Sequence, residues 1–183
     1  MLRSFSREAD HLVPAEAVRV AAPALAPVAA ADGADAALTP ASEPTLVPAP
    51  RPLIWFDLVS PEPRETKEVE ASLAIAVPTR DEMEEIELSA RLYQEDGAEF
   101  MTMTALAGLD GDDPVKTPVT FILKGGTLVT VRYADPKPFA AFLARAKRGN
   151  GLVCSTGETV MLGLLEAIID RMADVLERCG NEI

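Results

Sequence analysis

The stretch Pro118-Val-Thr-Phe-Ile-Leu-Lys-Gly-Gly-Thr-Leu-Val-Thr-Val-Arg-Tyr133 constrains the fold more than any other part of the chain. Two runs rich in β-branched and aromatic residues flank Gly125-Gly126, and a glycine pair tolerates positive φ at both central positions of a two-residue hairpin turn. With the turn there, Lys124 faces Thr127, and the cross-strand pairs run Leu123 with Leu128, Ile122 with Val129, and Phe121 with Thr130. Thr120 then meets Val131 and Val119 meets Arg132. One face carries Val119, Phe121, Leu123 and Leu128; the other carries Ile122, Val129 and Val131. Neither face can be left to water, and a strand pair apolar on both sides is usually covered by helices on both sides. The hairpin therefore predicts the middle of an α/β/α sandwich.

The hairpin sits late in a chain whose beginning is of another character. Residues 1–50 hold seven of the 15 prolines and only one aromatic residue, Phe5. The Ala/Pro-rich run from Ala15 to Pro50 has few large apolar side chains to bury, so residues 1–50 are predicted to be a disordered tail. Order is expected from about Pro52, with an α/β/α domain over 51–154. Leu53 to Val59 reads as a strand, followed by a helix opened by Ser60-Pro61 and ending near Leu73. Thr79 with Glu82 forms a capping box for a short helix from Arg80 to about Leu88. A second hairpin turns at Asp96-Gly97, between Arg91–Glu95 and Ala98–Leu106. Pro136 to Arg148 is an amphipathic helix with Phe139, Phe142, Leu143 and Ala146 on one side.

The last predicted element, 155–183, opens with Ser155 and Glu158 as a further capping box. Met161, Leu165, Ile168, Met172, Val175 and Cys179 recur at alternating spacings of four and three, a heptad seam for packing against another helix. Leu164, Ile169 and Leu176 widen that stripe. The pattern still runs at Ile183, so the sequence reads as a long helix that is cut off.

Charge and residue usage exclude several functions. The chain carries 29 acids against 17 bases, a net charge of -12, which disfavours nucleic acid and anionic lipid and suits cations or basic partners. The single histidine, His11, falls in the predicted tail. That removes histidine-based catalysis and zinc sites, and leaves carboxylate chemistry suited to hard cations such as magnesium. Two cysteines, Cys154 and Cys179, have no metal-type spacing and are read as free thiols. No apolar run approaches the roughly 20 residues a membrane helix needs.

Two acidic constellations are candidate cation sites. Residues 62–99 contain 12 acids and four bases, and within them Asp81-Glu-Met-Glu-Glu-Ile-Glu87 places Glu82 and Glu85 on one helical face. Glu166, Asp170, Asp174 and Glu177 line one side of the last helix, where like charges cost about 0.2–0.5 kcal/mol per pair. Glu82, Glu85, Asp170 and Asp174 are the carboxylates expected to meet a divalent ion; the competing reading is a solvated helix surface, favourable at an N-terminus. Asp110-Gly-Asp-Asp113 lacks the glycine and the bidentate glutamate of a calcium loop. Gly125-Gly126 joins strands rather than opening a helix, so it is no phosphate cradle. No enzyme site emerges.

Trp55-Phe-Asp-Leu58 with Pro61, Pro78 to Arg91, the hairpin Phe121 to Arg132, and Leu164 to Glu177 together resemble the cytoplasmic N-terminal domain of the CorA family of magnesium, cobalt and nickel transporters. The resemblance spans Leu53 to Ile183 and implies a mixed sheet in an α/β/α sandwich, leading into long helices that descend toward a membrane region absent from this sequence. It implies five such domains in a funnel over a pore, with Mg2+ as a regulatory ion between neighbouring subunits and no organic cofactor. The family's two transmembrane helices and its Gly-Met-Asn motif are missing, so the expected role is cation sensing rather than conduction. Expected partners are divalent cations and further copies of the chain, at the cytoplasmic face of the cell membrane in the full-length protein. Alternatives are a zinc-transporting relative and a stand-alone soluble interaction or sensor protein.

Overall fold

In the computed structural model, residues 1–8, 11–15, 52–85, 91–109, 114–148 and 154–181 are described. The predicted tail from 16 to 50, the Asp110–Asp113 loop and the glycine-rich 149–151 stretch lie outside them. The helix expected from Arg80 to about Leu88 is shorter than predicted: it ends at Met83, with Glu84 as its C-cap, so Glu85 is not on a helical face with Glu82. The central hairpin forms as the glycine pair requires. β6 (Val115–Lys124) and β7 (Thr127–Arg132) pair in the register read from sequence, from Lys124 with Thr127 to Val119 with Arg132. Gly125 and Gly126 take φ of 56° and 81°, which β-branched side chains resist.

Among the described residues the hairpin lies in a seven-stranded sheet with β1 (Leu2–Glu8), β2 (His11–Pro14), β3 (Leu53–Val59), β4 (Leu92–Glu95) and β5 (Ala98–Ala107), in the order β2-β1-β3-β7-β6-β5-β4. β3 (Leu53–Val59) runs parallel to β7, whereas β4 (Leu92–Glu95) and β5 (Ala98–Ala107) continue the sheet antiparallel from β6. The sheet is therefore mixed. Asp96 and Gly97, with φ of 50° and 71°, make the second tight turn expected from sequence.

Helices cover both faces. α1 (Pro63–Leu73) and the single turn α2 (Arg80–Met83) bury Val69 and Met83 against Phe56, Leu58, Ile122, Val129 and Val131. α3 (Lys137–Ala146) and α4 (Gly157–Asn181) bury Phe142, Leu164 and Ile168 against Trp55, Phe121 and Leu128. The α/β/α sandwich read from the two-faced hairpin is the observed fold.

The N-terminus corrects the sequence reading. β1 (Leu2–Glu8) pairs antiparallel with β3, and β2 (His11–Pro14) pairs with β1, so order does not begin at Pro52. Phe5 is buried and stacks on Trp55 with ring centroids 4.7 Å apart. Neither segment has an alternating apolar pattern; β1 is held by backbone pairing to β3 and by one aromatic anchor, which a composition window over 50 residues averages away.

Two helix starts also differ from expectation. α1 begins after Glu62, whose backbone N–H donates to Glu65 at 2.9 Å, because Ser60 takes a left-handed φ of 42°. At α4 the cap is built by Thr156 and Thr159 rather than Ser155 and Glu158. Thr159 Oγ1 accepts from the N–H groups of Ser155 and Thr156 at 3.1 Å each, and the Thr159 N–H donates to Thr156 Oγ1. Gly157 is fixed for a different reason: its N–H donates to Gly126 O at 2.6 Å, and a Cβ there would lie 2.5 Å from Leu128 N. The start of α4 is thus seated directly on the turn of the central hairpin.

Candidate functional site

The four candidate carboxylates separate into two places. Glu82 belongs to the capping box of α2: its carboxylate accepts from the Thr79 N–H at 2.7 Å and the Thr79 hydroxyl at 2.9 Å. Those two donors hold its pKa below the ordinary glutamate value. Glu85 follows α2 and is exposed, its N–H donating to Glu82 O at 3.3 Å. Met83 points inward between them, as the spacing predicts. Nearby, Arg80 pairs with Glu84 at 2.9 Å and lies 5.6 Å from the Tyr133 ring.

Asp170 and Asp174 are exposed on α4 and line a groove of about 310 Å³ shared with Lys137, Arg145 and Arg171. The bases temper the negative field that the acidic row would otherwise create. α2 packs on the sheet face that also receives α1, and α4 packs on the opposite face. The structure therefore does not bring Glu82 and Glu85 together with Asp170 and Asp174 within one chain. Among the described residues, no three His, Cys, Asp or Glu side chains gather into a metal-binding group.

Sequence reasoning passed over the polar group buried deepest in the sheet. Asp57 on β3 and Arg132 on β7 are 2% and 1% exposed and form a bidentate pair, Nη2 donating to Oδ2 at 2.8 Å and Nε to Oδ1 at 3.0 Å. Thr130 donates its hydroxyl to Asp57 Oδ1 at 2.9 Å and accepts from Trp55 Nε1 at 3.0 Å. Arg132 Nη1 completes the set with Ala134 O at 3.1 Å and with Asp135, and its guanidinium sits 4.3 Å over the Phe139 ring. Burial by itself would lower the Arg132 pKa; hydrogen bonds and charge from Asp57 and Asp135 outweigh it and raise the value. One acid and one base in otherwise apolar strands were the available signal, but only the parallel pairing of β3 with β7, which sets Asp57 opposite Thr130 and Arg132 opposite Val59, brings the two onto one face within reach of each other. Closed to solvent and fully bonded, this group ties two strands to α3 and presents nothing to a substrate.

A second, larger cleft of about 660 Å³ runs beside β1 and α1, with Arg3, Arg64, Glu65, Glu68 and Lys147 among its lining. Burial would raise the Glu65 pKa, but the Met1 amino group at 2.8 Å and the N–H groups of Glu62 and Leu2 hold it below the usual value. Ala15 and Leu53 also line the cleft.

The sandwich, with its parallel β3–β7 pair and its long final helix, has known counterparts. Residues 51–183, well over half of the chain, match the family described as CorA-like Mg2+ transporter protein. The chain belongs to this CorA family. Among its relatives, the magnesium transport protein CorA of Pectobacterium atrosepticum is 32% identical over 131 residues, covering 71% of this chain and 41% of that protein. The protein of the same description from Escherichia coli K12 is 28% identical over 130 residues, with the same coverage of 71% and 41%. The CorA-like chain thus spans less than half the length of the curated relatives it matches.

Solved structures support the CorA fold independently. The soluble domain of CorA from Methanocaldococcus jannaschii superposes with a TM-score of 0.58 at 17% identity, over 70% of this chain and 51% of that one. The full-length CmaX protein gives a TM-score of 0.64 at 13% identity, over 100% of this chain and 49% of that one. At these identities the likeness establishes the fold. None of the described helices of this CorA-family chain is long and apolar enough to cross a membrane.

Proposed function

We propose that this chain is the cytosolic, cation-sensing regulatory domain of a CorA-type divalent metal ion transporter. The observation that carries the reading is the placement of two acidic clusters on opposite faces of a CorA-family sandwich. In a ring of identical subunits, each subunit turns one face to the preceding neighbour and another to the following one. Glu82 and Glu85 of one subunit can then approach Asp170 and Asp174 of the next. Mg2+ suits such a site: it takes oxygen ligands, is satisfied by one or two carboxylates, and keeps several waters. Lys137, Arg145 and Arg171 weaken the hold of one subunit on the ion, and the neighbour's glutamates restore the negative field. Bound Mg2+ favours the closed arrangement of subunits. Its loss leaves like charges facing each other and shifts the population toward separation, provided the two states differ in affinity.

The test is thermal unfolding of the full chain in magnesium chloride against potassium chloride at matched ionic strength, since screening alone stabilises a chain of net charge -12. For a dissociation constant of about 1 mM, 20 mM free Mg2+ adds about 1.8 kcal/mol per site through linkage. The expected result is a larger rise in Tm with Mg2+, reduced by Asp170→Asn with Asp174→Asn, together with Mg2+-dependent self-association in sedimentation. Equal shifts in the two salts and no change in association would overturn the proposal.

A further inference from the structure

The larger cleft, about 660 Å³ beside β1 and α1, has the size of a small-molecule site. Its charge departs from that of the chain. Arg3, Arg64 and Lys147 line it together with Glu62, Glu65 and Glu68, in a protein whose acids outnumber its bases by 29 to 17. The acids are not equally available. Glu65 already accepts from the Met1 amino group at 2.8 Å, the Leu2 N–H at 2.6 Å and the Glu62 N–H at 2.9 Å. The bases are less engaged. Arg64 and Lys147 are exposed, and neither pairs with a carboxylate among the described residues. Arg3 reaches Asp57 only at 3.9 Å, and both Asp57 oxygens take closer bonds from Arg132. Three cations with donors to spare are thus set against two carboxylates, and the local balance favours an anion.

The apolar part of the lining narrows the kind of anion. Leu2, Leu53 and Leu143 are half-buried there, and the buried rings of Phe5 and Phe56 also belong to the lining. A small hydrophilic anion would leave that hydrocarbon wet, and a divalent cation would meet the unpaired bases. A bilayer of anionic lipid would meet the net charge of -12 of the whole chain, whereas a single amphipathic anion inside the cleft meets only the nearby groups.

We propose that the cleft binds a single-chain amphipathic carboxylate of the long-chain fatty acid class, its head among Arg3, Arg64 and Lys147 and its tail along Leu2, Leu53 and Leu143. Arginine and lysine supply charge-assisted hydrogen bonds to the carboxylate, and the leucines and the tail leave water together. The site goes beyond the cation-sensing reading and does not depend on it, because none of Glu82, Glu85, Asp170 and Asp174 lines the cleft.

The probe is dodecanoate below its micellar concentration, titrated into the full chain by isothermal titration calorimetry. Each buried methylene is worth up to about fourfold in affinity, so dodecanoate is expected to bind at least about tenfold more tightly than octanoate. Arg64→Glu with Lys147→Glu should weaken dodecanoate binding at least about tenfold with Tm nearly unchanged, since both positions are exposed. Lys67→Glu with Lys116→Glu, exposed and outside the cleft, controls for added net charge and should stay within about twofold of the parent. Bound dodecanoate should slow amide exchange in β1 and the first turns of α1 and leave the outer part of α4 unchanged. No binding of dodecanoate, equal binding of octanoate, or the same affinity in the two double variants would overturn the proposal. So would tighter binding of dodecyltrimethylammonium, which has the same tail and the opposite charge, or partition of the chain onto phosphatidylglycerol vesicles.

Discussion

Replacing Phe5 by alanine asks whether the first strand is part of the domain. Phe5 is 3% exposed and stacked on Trp55 with an interplanar angle of 23°. Truncating a buried phenylalanine costs about 3–5 kcal/mol, of which the aromatic pair supplies about 0.5–1.5. β1 is flanked on its outer side only by the four-residue β2, so the site can partly collapse and the low end, about 3 kcal/mol, is expected. For a chain of this size, that lowers Tm by about 6–12 °C. Urea and thermal unfolding should be followed by circular dichroism and by the fluorescence of Trp55, the one tryptophan. Because Trp55 is 1% exposed, loss of the Phe5 ring should also shift its emission to the red in the folded state. Leu92→Ala, at a residue 69% exposed on the opposite edge strand, is the control and should stay within about 0.5 kcal/mol. A Phe5→Ala loss below about 1 kcal/mol with unchanged emission would refute the assignment of β1 to the sheet.

Arg132→Met should cost about 3–5 kcal/mol in urea unfolding, because it leaves the Asp57 carboxylate buried without its partner; adding Asp57→Leu should recover much of that loss. Gly126→Val should cost about 1–3 kcal/mol from backbone strain alone, as open space surrounds the position. Gly157→Ala should cost a similar amount, about 1–3 kcal/mol, for the opposite reason: φ permits alanine, but its Cβ would press on the backbone of Leu128. Thr79→Ala should remove about 0.5–2 kcal/mol as a lost cap. Because the folded Glu82 pKa is depressed, its contribution is complete above the ordinary glutamate value of 4.5 and is lost as pH falls through the folded value. The slope of stability against pH in that window should be smaller in Glu82→Gln.

What was legible followed from how local the determinant was. The register of β6 on β7 was set by two adjacent glycines and by β-branched runs on either side, all within one short stretch. The capping box at Thr79 and the turn at Asp96-Gly97 were equally local. β1 was missed because its place depends on β3, whose Trp55 is far along the chain. Asp57 and Arg132 escaped notice for the same reason, being 75 residues apart and joined only by a parallel strand pair. On α4 several apolar stripes overlap, and which one faces inward depends on where Gly157 and Gly163 let the helix approach the sheet and Phe142. The acidic clusters were visible as composition; their separation onto opposite faces was a property of topology.

Gly157 seated on Gly126 and the buried side chains as far as Ile168 clamp the first half of α4 to the sheet, and leave the second half as an arm that follows it. The 25 residues of α4 reach about 37 Å at 1.5 Å per residue, and the part beyond Ile168 extends about 20 Å past its last buried side chain. A rotation of the clamped half by about 5° would carry the far end of the arm, about 20 Å long, through about 2 Å relative to Ile168, by the same rise per residue. The helix start has little room to slide, since no side chain separates it from the strand backbone. A rotation of the sheet would therefore be carried by α4 as a whole, its displacement growing with distance beyond Ile168.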